Sequence, residues 1–160
     1  MTADALDAIE FRPADLGEIL ELREHELIRG TGREREFPGD RDPTTRHFGA
    51  FRRGTCVGCL SAMLSEWEGA PAWQVRGMAV AADWRGRGVG ARLLARAEAL
   101  LVEERAGPGG TRVRLLWCNA RRPAVGFYEK QGWRVVSGPF EIPSVGPHVR
   151  MVKGIGEAEV

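Results

Sequence analysis

The chain has 160 residues, is 43% hydrophobic and 28% charged, and carries a formal net charge of +1 at neutral pH. That length suits one core able to bury roughly 70% of the unfolded chain's surface, and the near-zero charge leaves no electrostatic footprint for nucleic acid or an anionic membrane. No stretch is apolar enough to span a bilayer, and the acidic start Met1–Asp7 lacks the regions of a signal peptide, so the chain reads as one cytoplasmic domain over residues 1–160.

Ile9–Arg12 alternates and predicts a first strand, closed by Pro13. Asp15 is the expected N-cap of a helix over 16–28, where Leu16, Ile19, Leu20, Leu27 and Ile28 follow the helical period. From Arg29 to Thr45 the chain is polar and broken by Gly30, Gly32, Pro38, Gly39 and Pro43. This predicts a mobile connection of low local stability, a candidate lid. Arg46–Arg52 and Thr55–Leu64 pair as a hairpin around Arg53-Gly54. Cys56 and Cys59 have redox spacing, but positions three apart on a strand face opposite sides, and a redox pair sits at a helix start. They read as packing cysteines, and with no second ligand pair no zinc or other metal site is expected.

Gly69-Ala70-Pro71 turns the chain into a strand at 72–80. Gly90, Leu93, Leu94, Ala97, Leu100 and Leu101 make the apolar face of a helix that ends near Ala106, before Gly107-Pro108-Gly109-Gly110. Val113, Leu115 and Trp117 alternate in a strand over 112–119. Pro123 and Gly132 bracket a short helix, and two last strands follow around 133–140 and 148–153. This order gives an α+β fold with a mixed sheet, because the strand–loop–helix–strand unit at 72–118 requires a parallel pair.

The most informative segment is Arg85-Gly86-Arg87-Gly88-Val89-Gly90-Ala91, a glycine-rich turn running into a helix. Free N–H groups and the positive end of the helix dipole make such a turn an anion site. A nucleotide-hydrolase P-loop needs Lys and then Ser or Thr, where Ala91-Arg92 stands here. The dinucleotide pattern Gly-x-Gly-x-x-Gly/Ala is met by Gly86, Gly88 and Ala91. The next strand, however, ends at Asn119 without the carboxylate that holds a ribose. A third pattern, Gln/Arg-x-x-Gly-x-Gly/Ala, is met at Arg85, Gly88 and Gly90.

With Gln74–Val80 upstream and Ala124-Val125-Gly126-Phe127-Tyr128-Glu129-Lys130-Gln131-Gly132-Trp133 downstream, this loop resembles the acetyl-CoA loop of the GNAT superfamily of N-acetyltransferases over residues 72–134. The resemblance implies a mixed, mostly antiparallel sheet of six to seven strands flanked by helices. Two central parallel strands, near 75–80 and 113–119, are expected to splay apart. It implies acetyl-CoA as donor, its pyrophosphate on Arg85, Gly86, Arg87, Gly88, Val89, Gly90 and Ala91, and its pantetheine arm along Met78, Ala79 and Val80 with a contact from Asn119. Tyr128, the only tyrosine, falls where the family carries its general acid. Glu66, Glu141 and His148 are the base or acceptor-site candidates. The expected acceptor is a primary amine on a small molecule or peptide. A longer acyl donor and an inactive acyl-CoA sensor are the alternatives, and a homodimer is compatible with the sequence.

Overall fold

Residues 6–156 are described by a computed structural model, in which the first strand, β1 (Ile9–Ala14), runs through Pro13 instead of stopping there. β1 lies at the edge of the sheet, where a residue without an N–H is tolerated. Asp15 caps α1 (Leu16–Arg23) in a reciprocal box with Glu18. The helix continues to Ile28 as expected, but Glu24–Ile28 widen into a π-turn, a form frequent at functional sites.

β2 (Arg46–Arg52) and β3 (Thr55–Trp67) make the predicted hairpin, with β3 three residues longer than read from sequence. β4 (Ala70–Val80) leads through a single 3-10 turn, Ala82–Trp84, to α2 (Val89–Leu101). α2 stops well short of Ala106. Glu103 and Glu104 are unfavourable at the negative end of a helix dipole, and they pair instead with Arg112 at 3.0 Å and Arg46 at 2.7 Å. β5 (Leu115–Arg121) is followed by α3 (Val125–Lys130), which exits through Gly132 at φ +91°. The last part resolves into three strands rather than two: β6 (Arg134–Val135), β7 (Phe140–Ile142) and β8 (Gly146–Gly154). Ser144 at φ +68° and Gly146 at φ +109° fold the Pro/Gly-rich connection into a tight β7–β8 hairpin.

The eight strands form one sheet in the order β1-β2-β3-β4-β5-β8-β6, with β7 also on β8. Every pairing is antiparallel except β4–β5. α1 covers one face, with Ile19 and Leu22 against Cys59 and Ala79. α2 and α3 cover the other, where Leu93, Leu94, Leu101 and Tyr128 pack with Leu60, Trp73, Val75 and Leu116. Glu98 ties this layer together by accepting from Trp133 Nε1 and Lys153 Nζ.

Two expectations are corrected here. Cys56 and Cys59 lie on the same face, because a bulge in β3 opposite Ala50/Phe51 inserts Val57 between them and breaks the alternation. Burial pushes their thiols up to about 11 and about 12, so both remain protonated packing groups. The connection 29–45 is irregular as read, but its second half is pinned rather than loose. Asp40, fully buried, accepts from Arg23 at 2.6 Å and from the Phe37 N–H. Arg23 also donates to Ser61 at 2.8 Å, and the His47 ring bridges Ser61 and the Asp40 carbonyl.

Removing one partner of a buried ion pair leaves the other uncompensated, so Asp40→Ala should destabilise the fold by about 3–5 kcal/mol. Urea unfolding measures this, and a loss below about 1 kcal/mol, the level of an exposed pair, would show that the pin is not structural. Hydrogen exchange should be slow at Phe37, Asp40 and Thr45 and fast over 29–35.

Candidate active site

The parallel ladder between β4 and β5 is very short. It consists of Trp73↔Leu116 and Gln74↔Trp117, after which the two strands part. Each keeps its outer neighbour: β4 stays on β3 to Val80↔Gly58, and β5 stays on β8 to Arg121↔His148. The divergence follows from an irregularity in β4. Arg76 pairs with Ser61 and Ala79 with Cys59, so Gly77 and Met78 together oppose Leu60, and Gly77 takes φ +64°. Two facing strand edges are thereby left with backbone groups that need partners.

A cavity of ≈ 290 Å³ lies at this opening. β4 supplies Gln74 to Met78, β5 supplies Asn119 to Arg121, α3 and its approach supply Ala124 and Tyr128, the π-turn supplies Leu27, the looser first half of the 29–45 connection supplies Arg33, its pinned half supplies Phe37 and Pro38, and the β7–β8 hairpin supplies Ile142, Val145 and His148. Tyr128 is held between Phe127 and Trp133, with ring centroids 5.2 and 5.1 Å away. Its hydroxyl points at Met78 Sδ, 3.7 Å distant. Burial pushes the phenol pKa up, against a smaller opposing effect of Arg121, so the hydroxyl keeps its proton at neutral pH. His148 is buried, and its Nδ1 lies 2.7 Å from the Gly146 carbonyl. A carbonyl only accepts, so Nδ1 carries a proton and Nε2 is the ring nitrogen left for another partner. Asn119 Oδ1 is buried without a hydrogen-bond partner among the described residues, an acceptor that waits for a donor.

The glycine loop lies just beyond β4. Gly88, at φ +87°, is the N-cap of α2 and offers no side-chain cap, so the N–H groups of Val89, Gly90 and Ala91 have no side-chain partner there. Gly90 packs tightly, since a Cβ there would lie 3.4 Å from Phe127 and from Val80. This brings the start of α2 against both β4 and α3. Arg87 stacks on Trp84, 5.2 Å from its ring centre. Arg85 turns back on the strand: its Nε donates to the Val80 carbonyl at 3.0 Å, and its guanidinium pairs with Glu26. Arg85 therefore braces the end of β4 and occupies one of the backbone groups on the opened edge.

Tyr128, His148, Asn119 and Met78 thus meet at one cavity, and the Gly86–Ala91 turn follows the end of β4 outside its lining. Glu66 does not join them; it is exposed near the tip of the β3–β4 hairpin, opposite Pro71. Glu141 is exposed on β7 opposite Pro147 and outside the cavity lining. Three residues at the site were not singled out from sequence. Arg76 and Gln74 stand as polar residues in an otherwise apolar strand just before Gly77, which is a readable signal. Glu26 is not readable, because its burial depends on the π-turn and on Arg85, far along the chain.

Comparison with known proteins agrees with this architecture. The profile of the Acetyltransferase (GNAT) family matches residues 13–133. The chain is 33% identical over 138 residues to the Bacillus subtilis (strain 168) protein named uncharacterized N-acetyltransferase YitI, covering 82% of this chain and 83% of that one. Among solved structures, Escherichia coli ElaA superposes with a TM-score of 0.73 at 17% identity, over 91% of this chain and 99% of that one. Arabidopsis thaliana NAA60 in complex with acetyl-CoA gives 0.69 at 16% identity, over 92% of this chain and 98% of that one. A family match over most of the sequence, joined to a parallel pair that opens beside a glycine-capped helix, leads to one conclusion: this chain belongs to the GNAT family of acetyltransferases.

Proposed function

We propose that the chain transfers the acetyl group of acetyl-CoA directly to a primary amine, with Tyr128 as general acid and His148 as general base. The observation that carries this reading is the opened β4–β5 edge with the Tyr128 hydroxyl beside it. Acetyl-CoA supplies an activated thioester, and the residues present fit it. An extended chain bearing amide groups matches an unpaired strand edge, and the partnerless Asn119 Oδ1 offers an acceptor for an amide N–H. The uncapped N–H groups at Gly88–Ala91 suit a pyrophosphate.

His148 Nε2 takes the proton that the amine must lose before or during attack, and its Nδ1–H to the Gly146 carbonyl holds the ring in the tautomer this needs. Tyr128 gives its proton to the departing sulfur. Aromatic packing on two sides fixes where that proton sits, so little reorganisation is needed at the moment of transfer. Arg85 acts by holding the end of β4 rather than by meeting phosphate, because its side chain is committed to Val80 and Glu26. A cavity of ≈ 290 Å³ favours a short acyl group and a small acceptor. Three unpaired cysteines, two of them fully buried, fit a cytoplasmic setting.

Gly88→Glu brings a side chain and a negative charge to the turn. It should weaken acetyl-CoA binding more than about tenfold, the effect of one lost charge-assisted contact, while circular dichroism shows α2 intact. Unchanged affinity by calorimetry would move the phosphate site elsewhere. Tyr128→Phe keeps the ring and removes the donor, so kcat should fall about 10²-fold or more with acetyl-CoA affinity retained. Because burial raises the phenol pKa, Tyr128 should impose no alkaline loss of rate below about pH 10, the ordinary phenol range. Wild-type turnover by the Phe variant would remove Tyr128 from the chemistry. His148→Ala should lose kcat at neutral pH and recover much of it at a pH where the amine arrives already neutral. A loss of equal size at every pH would mark His148 as structural.

A further inference from the structure

The cavity beside Tyr128 is lined by cations and by no carboxylate. Arg33, Arg76 and Arg121 reach it, and among the described residues neither Asp nor Glu does. The carboxylate that faces Arg76, Asp40, stands outside the lining and is already taken. It bonds Arg23 at 2.6 Å, whereas Arg76 reaches it only at 3.6 Å, beyond hydrogen-bonding distance. Two largely buried guanidiniums therefore share one buried carboxylate, which leaves a surplus positive charge at the cavity wall.

Arg76 is the residue with unfilled capacity. Its side chain is 17% exposed, one amino group donates to the Pro38 carbonyl, and its Nε–H is buried without a hydrogen-bond partner among the described residues. Burial pulls its pKa below the usual guanidinium range, with Asp40 opposing and Arg23 adding to the effect, which is the mark of a cation short of counter-charge. The phosphate loop does not explain this charge. Arg76 shares the α1 face with Ser61 and Arg23, while the loop feeds α2 on the opposite face of the sheet.

We propose that the acceptor is a small amine carrying a carboxylate on the same molecule, an amino-acid-like compound whose anionic group binds Arg76 with help from Arg33 and Arg121. This rests on the acetyl-transfer reading only for the role of the amine. A planar guanidinium whose Nη1 has no hydrogen-bond partner among the described residues suits a carboxylate, and a polyamine would meet like charge from all three arginines of the lining.

The test reads binding apart from turnover. The CoA-saturated protein is titrated by calorimetry with α- and ω-amino acids, with their primary amides, and with spermidine, and the same compounds are assayed for CoA release from acetyl-CoA. At least one acid should bind about tenfold or more tightly than its amide, the scale of a charge-assisted bond, and spermidine should bind worse than both. Arg76→Gln should bring acid and amide to within about threefold of each other, with acetyl-CoA affinity unchanged. Because Arg76 also holds Pro38, the Arg33→Gln/Arg121→Gln double variant provides a second measurement and should narrow the same ratio. Equal binding of acids and amides, preference for spermidine, or a ratio untouched by both variants overturns the proposal. Acid-selective binding without acetyl release upholds the anion site and overturns the transferase reading instead. Transfer to acids, amides and spermidine alike does the reverse.

Discussion

One extra residue in β4 opens the sheet. Placing Gly77 and Met78 together opposite Leu60 shifts the alternation, so that Val75 faces α2 while Ala79, four residues on, faces α1. The same shift throws Met78 toward the Tyr128 hydroxyl and turns β4 away from β5 immediately after Gln74. Gly77 is required on two counts. Its φ of +64° is unfavourable for a residue with a Cβ, and a Cβ there would stand 3.0 Å from Arg23 Nε and 3.1 Å from the Phe37 ring. The opened edge, the cavity and the contact of Met78 with the Tyr128 hydroxyl all follow from that local departure.

The opening is held from behind by buried charge. Arg23 from α1, Asp40 from the long connection, His47 from β2 and Ser61 from β3 form a connected set. Ser61 Oγ accepts from Arg23 and donates to His47 Nδ1, and His47 Nε2–H donates to the Asp40 carbonyl. Burial pulls the His47 pKa down, so the ring is neutral and this pattern of donors and acceptors is self-consistent. Phe37 lies under Arg23, 4.0 Å from its guanidinium carbon, and Arg76 lies 5.5 Å from the same ring. A connection that carries few apolar residues is thus ordered by ion pairing and cation–π contact in place of a hydrophobic core. The same set supplies the charge imbalance at the cavity wall.

Much of the candidate site was legible because it is written in contiguous stretches. The Arg85–Ala91 turn and the start of α2 form one segment, the Tyr128 helix another, and the strand–loop–helix–strand order requires the parallel pair. Each depends on residues a few positions apart, where backbone preference and hydrophobic period act. His148 and Asn119 were also within reach, since the ends of strands that flank the opening are few. Glu66 and Glu141 were not separable from His148 by the same means, because strand order alone does not say which end of a hairpin meets the cavity.

What the sequence by itself determined is the kind of fold and the location of the glycine turn and of the Tyr128 helix. It misjudged Pro13, whose tolerance depends on β1 being an edge, and the end of α2, which yields to the long-range pairing of Glu104 with Arg46. It treated residues 29–45 as uniformly loose, since the partner that orders Asp40 sits on α1, and it treated Cys56 and Cys59 as opposed, since a bulge is invisible without its partner strand. Only the tertiary structure decided that Arg76 faces a cavity with its counter-charge already spent on Arg23, and that Glu26 is buried against Arg85. Burial and charge compensation are sums over everything that surrounds a group, and those surroundings come from parts of the chain that meet only when it folds.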